Sequence, residues 1–333
     1  MDIRSNSFRR FNSLLQLCPL TDAIDTDPFI LNKYFIKIQH HLNVGPGIFF
    51  LNKKIRETIL NKKYDIVFVD NKPYLSTKTL HSIKRVLPTA KIVDVLTDDP
   101  FGRYSRSWKM LRKTASLYDK FFVQRKVNIE ELKGFGAKSI ELCFRSYDPA
   151  FNRPLILSEE DKGKYSTAIG FVGTYENIRD EYIAYLIKHN IPVSITGDGW
   201  TKSKNWSLIK PFYRGPSIYG EEYIKTINGM EIALHFLRHA NRDEQDSRTF
   251  EIPACGVFML AEKSDLHLNL FVPDKEAVFF ETKEELLQKV KYFMVHTNER
   301  ESIAKAGLAA CKNNNYSHVG RLKEVIKNIT GIK

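Results

Sequence analysis

The run Asn241-Arg242-Asp243-Glu244-Gln245-Asp246-Ser247-Arg248-Thr249-Phe250-Glu251-Ile252-Pro253-Ala254-Cys255-Gly256 is the most informative stretch of the chain. Apolar, strand-like segments flank it, Met230 to Leu237 before and Val257 to Ala261 after, so a polar loop feeds a short helix between two strands. Asp246 or Ser247 suits the N-cap, and Gly256 suits the residue just past the helix end. Backbone N–H groups at such an N-terminus, helped by Arg248 and Arg242, would attract an anion such as a diphosphate. Glu251, one turn further in, is placed to accept hydrogen bonds from the vicinal hydroxyls of a ribose. A capped amphipathic helix behind a solvated charged loop accounts for the same residues equally well.

Four other loops carry candidate groups. Gly173 and Thr174 follow the apolar run ending at Val172, where a glycine lets backbone approach a phosphate or sugar and a threonine can donate a hydrogen bond; a plain turn is the alternative. Tyr219 and Tyr223 follow Gly215-Pro216 and either stack on a nucleobase or form an apolar helix face at i, i+4. Asp98 and Asp99 end another strand-like run, where one carboxylate could act as general base on an acceptor hydroxyl. Asp-Asp-Pro is also common turn chemistry, and two adjacent carboxylates make a poor metal signature, so no metal site is expected. Lys72, in the loop after Asp70, could pair with a phosphate or an acidic acceptor, or be a solvated lysine. His235 and His239 lack ligand or triad spacing and read as structural or surface residues.

The elements that must position these groups alternate. Helical spacing covers Ser5 to Leu17, Phe29 to Leu42 and Phe49 to Leu60, with a short strand expected over Cys18 to Asp27. Tyr64 to Asp70, Lys91 to Leu96, Lys120 to Val123 and Ser139 to Phe144 read as buried parallel strands separated by helices. A polar, proline-marked linker, Ser146 to Asp161, precedes a second alternation that begins with the strand Ser166 to Val172. The expected architecture is α/β, with two Rossmann-like doubly wound domains facing a cleft. The expected divisions are 1–150, 151–315 and a C-terminal helix, 316–333, returning to the first domain. Because helical spacing starts within a few residues of Met1, the first domain is expected to lack its first strand.

Composition narrows the partners. The 333 residues hold 43% hydrophobic and 27% charged side chains, with no long apolar window and no apolar signal core at Met1. Cys18, Cys143, Cys255 and Cys311 form no paired spacing, which fits a reducing cytoplasm. Lys and Arg number 51 against 39 Asp and Glu, a net charge of +12 that favours anionic partners. The basic residues are scattered rather than blocked, so nucleic acid is not expected, while peripheral membrane association is compatible.

The wording Asn241-Arg242-Asp243, then Ser247-Arg248-Thr249-Phe250-Glu251-Ile252-Pro253-Ala254-Cys255-Gly256, resembles the donor-site segment of CgeB-like (spore-maturation-type) glycosyltransferases. These are group 1 glycosyltransferases with the two-domain GT-B fold. The resemblance extends through Ser5-Asn6-Ser7, Asp98-Asp99-Pro100, Tyr147-Asp148-Pro149 and most of Gly215 to Gly307. It implies a nucleotide diphosphate sugar held by the second domain through Gly173, Thr174, Tyr219, Asn241, Arg242, Ser247, Arg248, Thr249 and Glu251. It also implies an acceptor hydroxyl presented by the first domain near Asp98 and Asp99, on which side Lys72 is the further candidate read from its loop. Asp243 and Glu251 stand where retaining relatives carry two glutamates, so Asp243 is a shortened match on the sugar side. The resemblance implies neither cofactor nor metal. A GT-B epimerase or hydrolase, and a degenerate nucleotide-binding protein, are the alternatives.

Overall fold

The structure, a computed structural model, describes residues 6–31, 34–71, 74–103 and 105–331. The chain forms two units, each drawn from separate stretches of sequence. Unit 1 comprises Met1–Arg145, His239–Asp243 and Arg321–Lys333; unit 2 comprises Ser146–Arg238 and Glu244–Gly320. Lys72 lies outside the described residues.

Unit 1 runs α1 (Asn6–Leu17), α2 (Asp27–Ile30), α3 (Ile36–Leu42), α4 (Pro46–Asn61), β1 (Ile66–Asp70), α5 (Thr77–Val86), β2 (Lys91–Leu96), α6 (Lys109–Thr114), β3 (Lys120–Val123), α7 (Val127–Gly134) and β4 (Ile140–Leu142). The four strands are parallel and lie side by side in chain order, β1-β2-β3-β4. Right-handed crossovers between strands that always advance in one direction put their helices on one face of the sheet. On that face Leu80 and Ile83 of α5, Leu111 of α6 and Leu132 of α7 pack with Ile92, Leu96 and Phe121. Val95 and Phe122 point the other way and pack with Val325 near the chain end. The Cys18 to Asp27 stretch is not a strand. Turn hydrogen bonds follow α1, and Asp22 accepts from Lys62 and Tyr64, so its side chains and backbone are committed to local contacts.

One residue of β2 breaks the apolar pattern. Asp94 is completely buried, and neither carboxylate oxygen lies within hydrogen-bonding geometry of a partner among the described residues. Burial, reinforced by the nearby Asp70 charge, holds its carboxyl well above the ordinary range, against a weaker pull from the Asn71 amide. The folded state therefore keeps a proton that the unfolded chain loses above about pH 4, and stability falls as pH rises from there towards the raised value, by at most about 1.4 kcal/mol per pH unit. Asp94→Asn, which cannot ionise, is expected to flatten that slope. Urea unfolding of both proteins at about pH 5 and about pH 8 checks this: the variant's advantage must grow with pH.

Unit 2 continues with α8 (Glu159–Tyr165), β5 (Thr167–Val172), α9 (Asn177–Lys188), β6 (Ser194–Thr196), α10 (Trp206–Ile209), β7 (Tyr213–Gly215), α11 (Gly220–Asn228), β8 (Met230–His235), α12 (Ser247–Ala254), β9 (Phe258–Glu262), α13 (Asp265–Leu270), β10 (Val278–Phe280), α14 (Lys283–Val295), α15 (Thr297–Asn313) and α16 (His318–Thr330). From Arg321 onward α16 belongs to unit 1. The six parallel strands are ordered β10-β9-β8-β5-β6-β7. The order reverses between β5 and β8, which makes this sheet doubly wound and places its switch point at the carboxyl ends of those two strands. Ile169, Phe171, Ile195, Ile232 and Leu234 form the core on one face with Ile183 and Leu186 of α9. On the other side Phe250 of α12 meets Phe271 and Tyr316.

Candidate functional site

The helix α12 follows β8 at the switch point of unit 2, and its N-terminus is held by a buried polar network. Asp246 is its N-cap: the carboxylate accepts from the Arg248 amide at 2.7 Å and closes a capping box with Thr249. The helix N-terminus expected to present free N–H groups to an anion therefore already carries a carboxylate. His267 Nδ1 lies 2.7 Å from the Glu262 carbonyl oxygen, which only accepts, so Nδ1 carries the proton and Nε2 is the acceptor. Thr249 Oγ1, 2.9 Å from that Nε2, consequently donates to it and accepts from the Asp246 amide at 3.0 Å. His235 Nε2 completes the set, 3.1 Å from both Asp246 Oδ1 and Thr249 Oγ1. Thr249, expected from sequence among the donor-binding residues, is fully buried with its hydroxyl engaged in this network.

The charges follow from burial and partners. Burial works to raise the Asp246 pKa, but the adjoining His235, with Arg248 and Arg179, overrides it and holds the carboxyl far below its usual range. Burial, with His235 close by, depresses His267 from 6.5 to about 3. A folded pKa below the unfolded one means that the unfolded chain binds the proton first, so stability is lost as pH falls below 6.5 towards about 3. Thermal unfolding between about pH 7 and about pH 5, above the carboxylate range, is expected to show this loss at no more than about 1.4 kcal/mol per pH unit. His267→Asn, which does not titrate, should lose less over the same interval.

Two groups of α12 are presented differently. Ser247 is half-buried, and its hydroxyl has no hydrogen-bond partner among the described residues. Arg248 is also half-buried; its guanidinium makes no hydrogen bond there, and its Nε is buried without a partner. Although burial disfavours its charge, Tyr223, Asp246 and Glu251 together keep it firmly cationic. Glu251, one turn on and 7% exposed, accepts the Tyr223 hydroxyl at 2.5 Å. Tyr223 is buried on α11 while Tyr219, the α11 N-cap, is 62% exposed. The pair is therefore not a single apolar face: Tyr223 orients Glu251 and Tyr219 offers its ring outward.

At the end of β5, Gly173 is buried and Thr174 exposed. A side chain on Gly173 would meet the Phe171 ring, with its Cβ 2.6 Å from Cζ, and the Gly173 carbonyl accepts from Trp200 Nε1 at 2.9 Å. The next strand end approaches so closely that a Cβ on Gly197 would lie 2.0 Å from the Gly173 oxygen. Gly173 is thus explained by packing, and Thr174 is the exposed group of the loop. Arg179 of α9, 5% exposed, joins the two sides of the switch point: it donates to the Thr174 carbonyl at 2.9 Å and to the Phe236 and Leu237 carbonyls at 3.2 and 3.1 Å. Its Nε is a buried orphan, and Arg238, paired with Glu176 at 3.4 Å, adds a further cation beside it. Sequence reasoning missed Arg179. The available signal was a cation in the first turn of a helix, where the dipole opposes it; Arg248 carries the same signal.

The remaining candidates belong to unit 1. Arg242 binds Asp99 through Nε at 2.5 Å and Nη2 at 2.8 Å, and Glu131 through Nη1 at 2.8 Å. Its left-handed φ of 50° is an uncommon conformation for a non-glycine residue, held here by those two carboxylates. Asp99 also accepts from the Phe101 amide at 3.0 Å and Asn128 Nδ2 at 2.9 Å. Burial alone would raise its pKa; the Arg242, Phe101 and Asn128 hydrogen bonds lower it instead. Asp99, expected from sequence as an acceptor-side carboxylate, thus accepts four hydrogen bonds. Asp243, 6% exposed, is bound to Arg125, 2% exposed, and to Asn241 Nδ2 at 2.9 Å. Asn241 in turn accepts from the Asp99 amide and, through its carbonyl, from Arg125. Asn241, Arg242 and Asp243, read from sequence as donor-side and catalytic groups, are therefore parts of a unit 1 ion-pair cluster with Asp99. Asp98 differs: its carboxylate is 53% exposed and accepts from Asn71 Nδ2 at 2.8 Å.

Both units have the parallel sheets of GT-B glycosyltransferases, and solved structures match over most of the chain. Anabaena HepE in complex with UDP is 11% identical, with a TM-score of 0.62 over 85% of this chain and 82% of that one. A Rickettsia africae glycosyltransferase is 16% identical, with a TM-score of 0.58 over 85% and 81%. Sucrose-phosphate synthase from Thermosynechococcus elongatus is 10% identical, with a TM-score of 0.59 over 87% and 82%. By sequence, residues 179–327 match the family described as glycosyl transferase-like. That stretch runs from Arg179 through the whole of α12. No curated protein matches the chain by sequence. The family match covers less than half of the chain, and the solved structures share its two-domain fold.

Proposed function

We propose that the chain is a cytoplasmic glycosyltransferase of the CgeB-like type that moves a sugar from a nucleotide diphosphate sugar to an acceptor hydroxyl, without a metal. The observation that carries this reading is the unpartnered Arg248 guanidinium at the start of α12, one turn from a carboxylate oriented by Tyr223. Arg248, with Arg238 nearby and the free Ser247 hydroxyl, meets the diphosphate; Glu251 accepts the ribose hydroxyls; exposed Tyr219 stacks on the base; Thr174 and the Gly173 backbone border the sugar. HepE, which shares the fold, has been solved with UDP and with UDP-glucose, which supports a uridine donor.

In the transfer, the bond from the anomeric carbon to the diphosphate oxygen breaks and a bond to the acceptor oxygen forms. The acceptor proton passes to a base, for which Asp98 is the accessible carboxylate of unit 1. Arg248 stabilises the charge that develops on the departing diphosphate, so the cation a metal would supply is provided by side chains. Thermal shift with UDP and with other nucleoside diphosphates tests the donor site: one of them must raise the unfolding temperature at saturating concentration. If none does, the reading is wrong.

A further inference from the structure

Unit 1 carries an apolar surface that its own core does not use. Phe35, Ile38 and Leu42 fall on one face of α3 and are 41%, 47% and 51% exposed. The connection contributes Val44 at 54%, and the first turn of α4 contributes Phe49 at 60% and Phe50 at 52%. Isolated exposed hydrophobic residues are ordinary, but six within sixteen residues form a patch that calls for a partner. They are not simply misplaced core residues. Ile48 and Leu51 of α4 face inward, packing with Ile30 and Tyr74, so α4 has an apolar face on both sides.

The patch is also built to stay in place. Gln39 of α3 is fully buried; its amide nitrogen donates to the Ile30 carbonyl at 3.0 Å and its oxygen accepts from the Gly47 amide at 2.6 Å. A side chain on Gly47 would put its Cβ 1.8 Å from the Phe29 carbonyl oxygen, so the start of α4 is seated directly against α2. One side chain of α3 thereby ties the end of α2 to the start of α4.

Charge decides among the partners. Residues 27–63 contain seven Lys and Arg against two Asp and Glu, and Lys37, Lys53 and Lys54 are exposed on the same two helices. A second copy meeting this surface face to face would bring like charges together, whereas an anionic surface would neutralise them. Aromatic and aliphatic tips ringed by lysines are the makeup of a segment that lies in the headgroup region. No helix among the described residues is long and apolar enough to cross a membrane. We propose that α3 and α4 dock unit 1 onto an anionic lipid bilayer. The proposal is independent of the donor site in unit 2.

The test is flotation of the full chain with vesicles of phosphatidylcholine containing about 30% phosphatidylglycerol, compared with phosphatidylcholine alone. The expected result is binding to the anionic vesicles that weakens as salt is raised, since part of it is electrostatic. Phe49→Ser with Phe50→Ser should reduce the bound fraction at least about fivefold. Lys53→Glu with Lys54→Glu should reduce it on anionic vesicles, and Ile156→Ser, an exposed site in unit 2, should not. These side chains lie outside the core, and unaltered melting curves would verify that the variants fold. The proposal is overturned if the wild type does not float, or if the phenylalanine pair can be removed without effect. Concentration-dependent dimerisation that disappears with that pair would equally overturn it, by assigning the surface to a second copy.

Discussion

Arg125→Ala is expected to cost unit 1 about 3–5 kcal/mol, the largest effect of any single substitution considered. Arg125 and Asp243 are both almost completely buried. Truncating the arginine leaves a carboxylate without its counter-ion in a site that water does not reach. The Asn241 carbonyl loses its 2.6 Å donor at the same time. Urea unfolding monitored by a unit 1 probe checks the magnitude. Asp243→Asn should cost less, because an amide needs no counter-charge, and in a double-mutant cycle the two residues should couple by more than about 1 kcal/mol. Asp243→Asn also separates structure from chemistry. As a member of the ion-pair cluster, Asp243 can lose its charge without changing nucleotide affinity. A large drop in affinity with unchanged stability would return it to the donor side.

The donor site predicts the second large effect. Arg248→Ala should weaken UDP binding by about 1.5–3 kcal/mol, roughly tenfold to a hundredfold, as expected for a charge-assisted contact that is lost. The substitution breaks no hydrogen bond to a described residue, and what stability is lost comes from the charge Arg248 supplies beside Asp246 and Glu251. Glu251→Gln probes the ribose separately. The wild type should prefer a ribonucleotide over one lacking the 2′-hydroxyl, and the variant should lose that preference while keeping its dependence on Arg248. Isothermal titration with the two nucleotides measures both. Equal affinities across wild type and both variants would remove α12 from the donor site.

Much of the fold was legible because parallel strands and their crossover helices carry strong periodic signals. The run Lys91–Leu96 reads directly as a strand, as does Lys120–Val123, and Val127–Gly134 reads as the helix between strands. The Cys18 to Asp27 stretch failed because an apolar residue among aspartates looks extended locally, while the aspartates are in fact taken by Lys62, Tyr64 and the start of α2. The site was legible in part. Capping chemistry located α12 and its N-cap, since such signals are local. What the helix end does with its cap was not legible: Asp246, Thr249, His235 and His267 meet across three elements, and no spacing reports that. The same limit hid Arg242 and Asp243. Their partners, Asp99, Glu131 and Arg125, lie more than 100 positions away. A local reading could only see charged residues beside a helix and assign them to it.

The route of the chain through unit 1 bears on how the protein must be made. Five residues, His239–Asp243, and the segment from Arg321 return to a unit whose other residues end at Arg145. During synthesis, a nascent chain that has emerged only as far as Arg145 exposes Asp99, Glu131 and Arg125 without the residues that neutralise them, and lacks Val325 over Val95 and Phe122. Loop closure over such distances is slow relative to local helix formation. Unit 2 contains the intervening sequence and therefore stands between the first and last steps of unit 1. Dissecting the protein near residue 150 would separate Asp99 and Glu131 from Arg242, and Arg125 from Asp243.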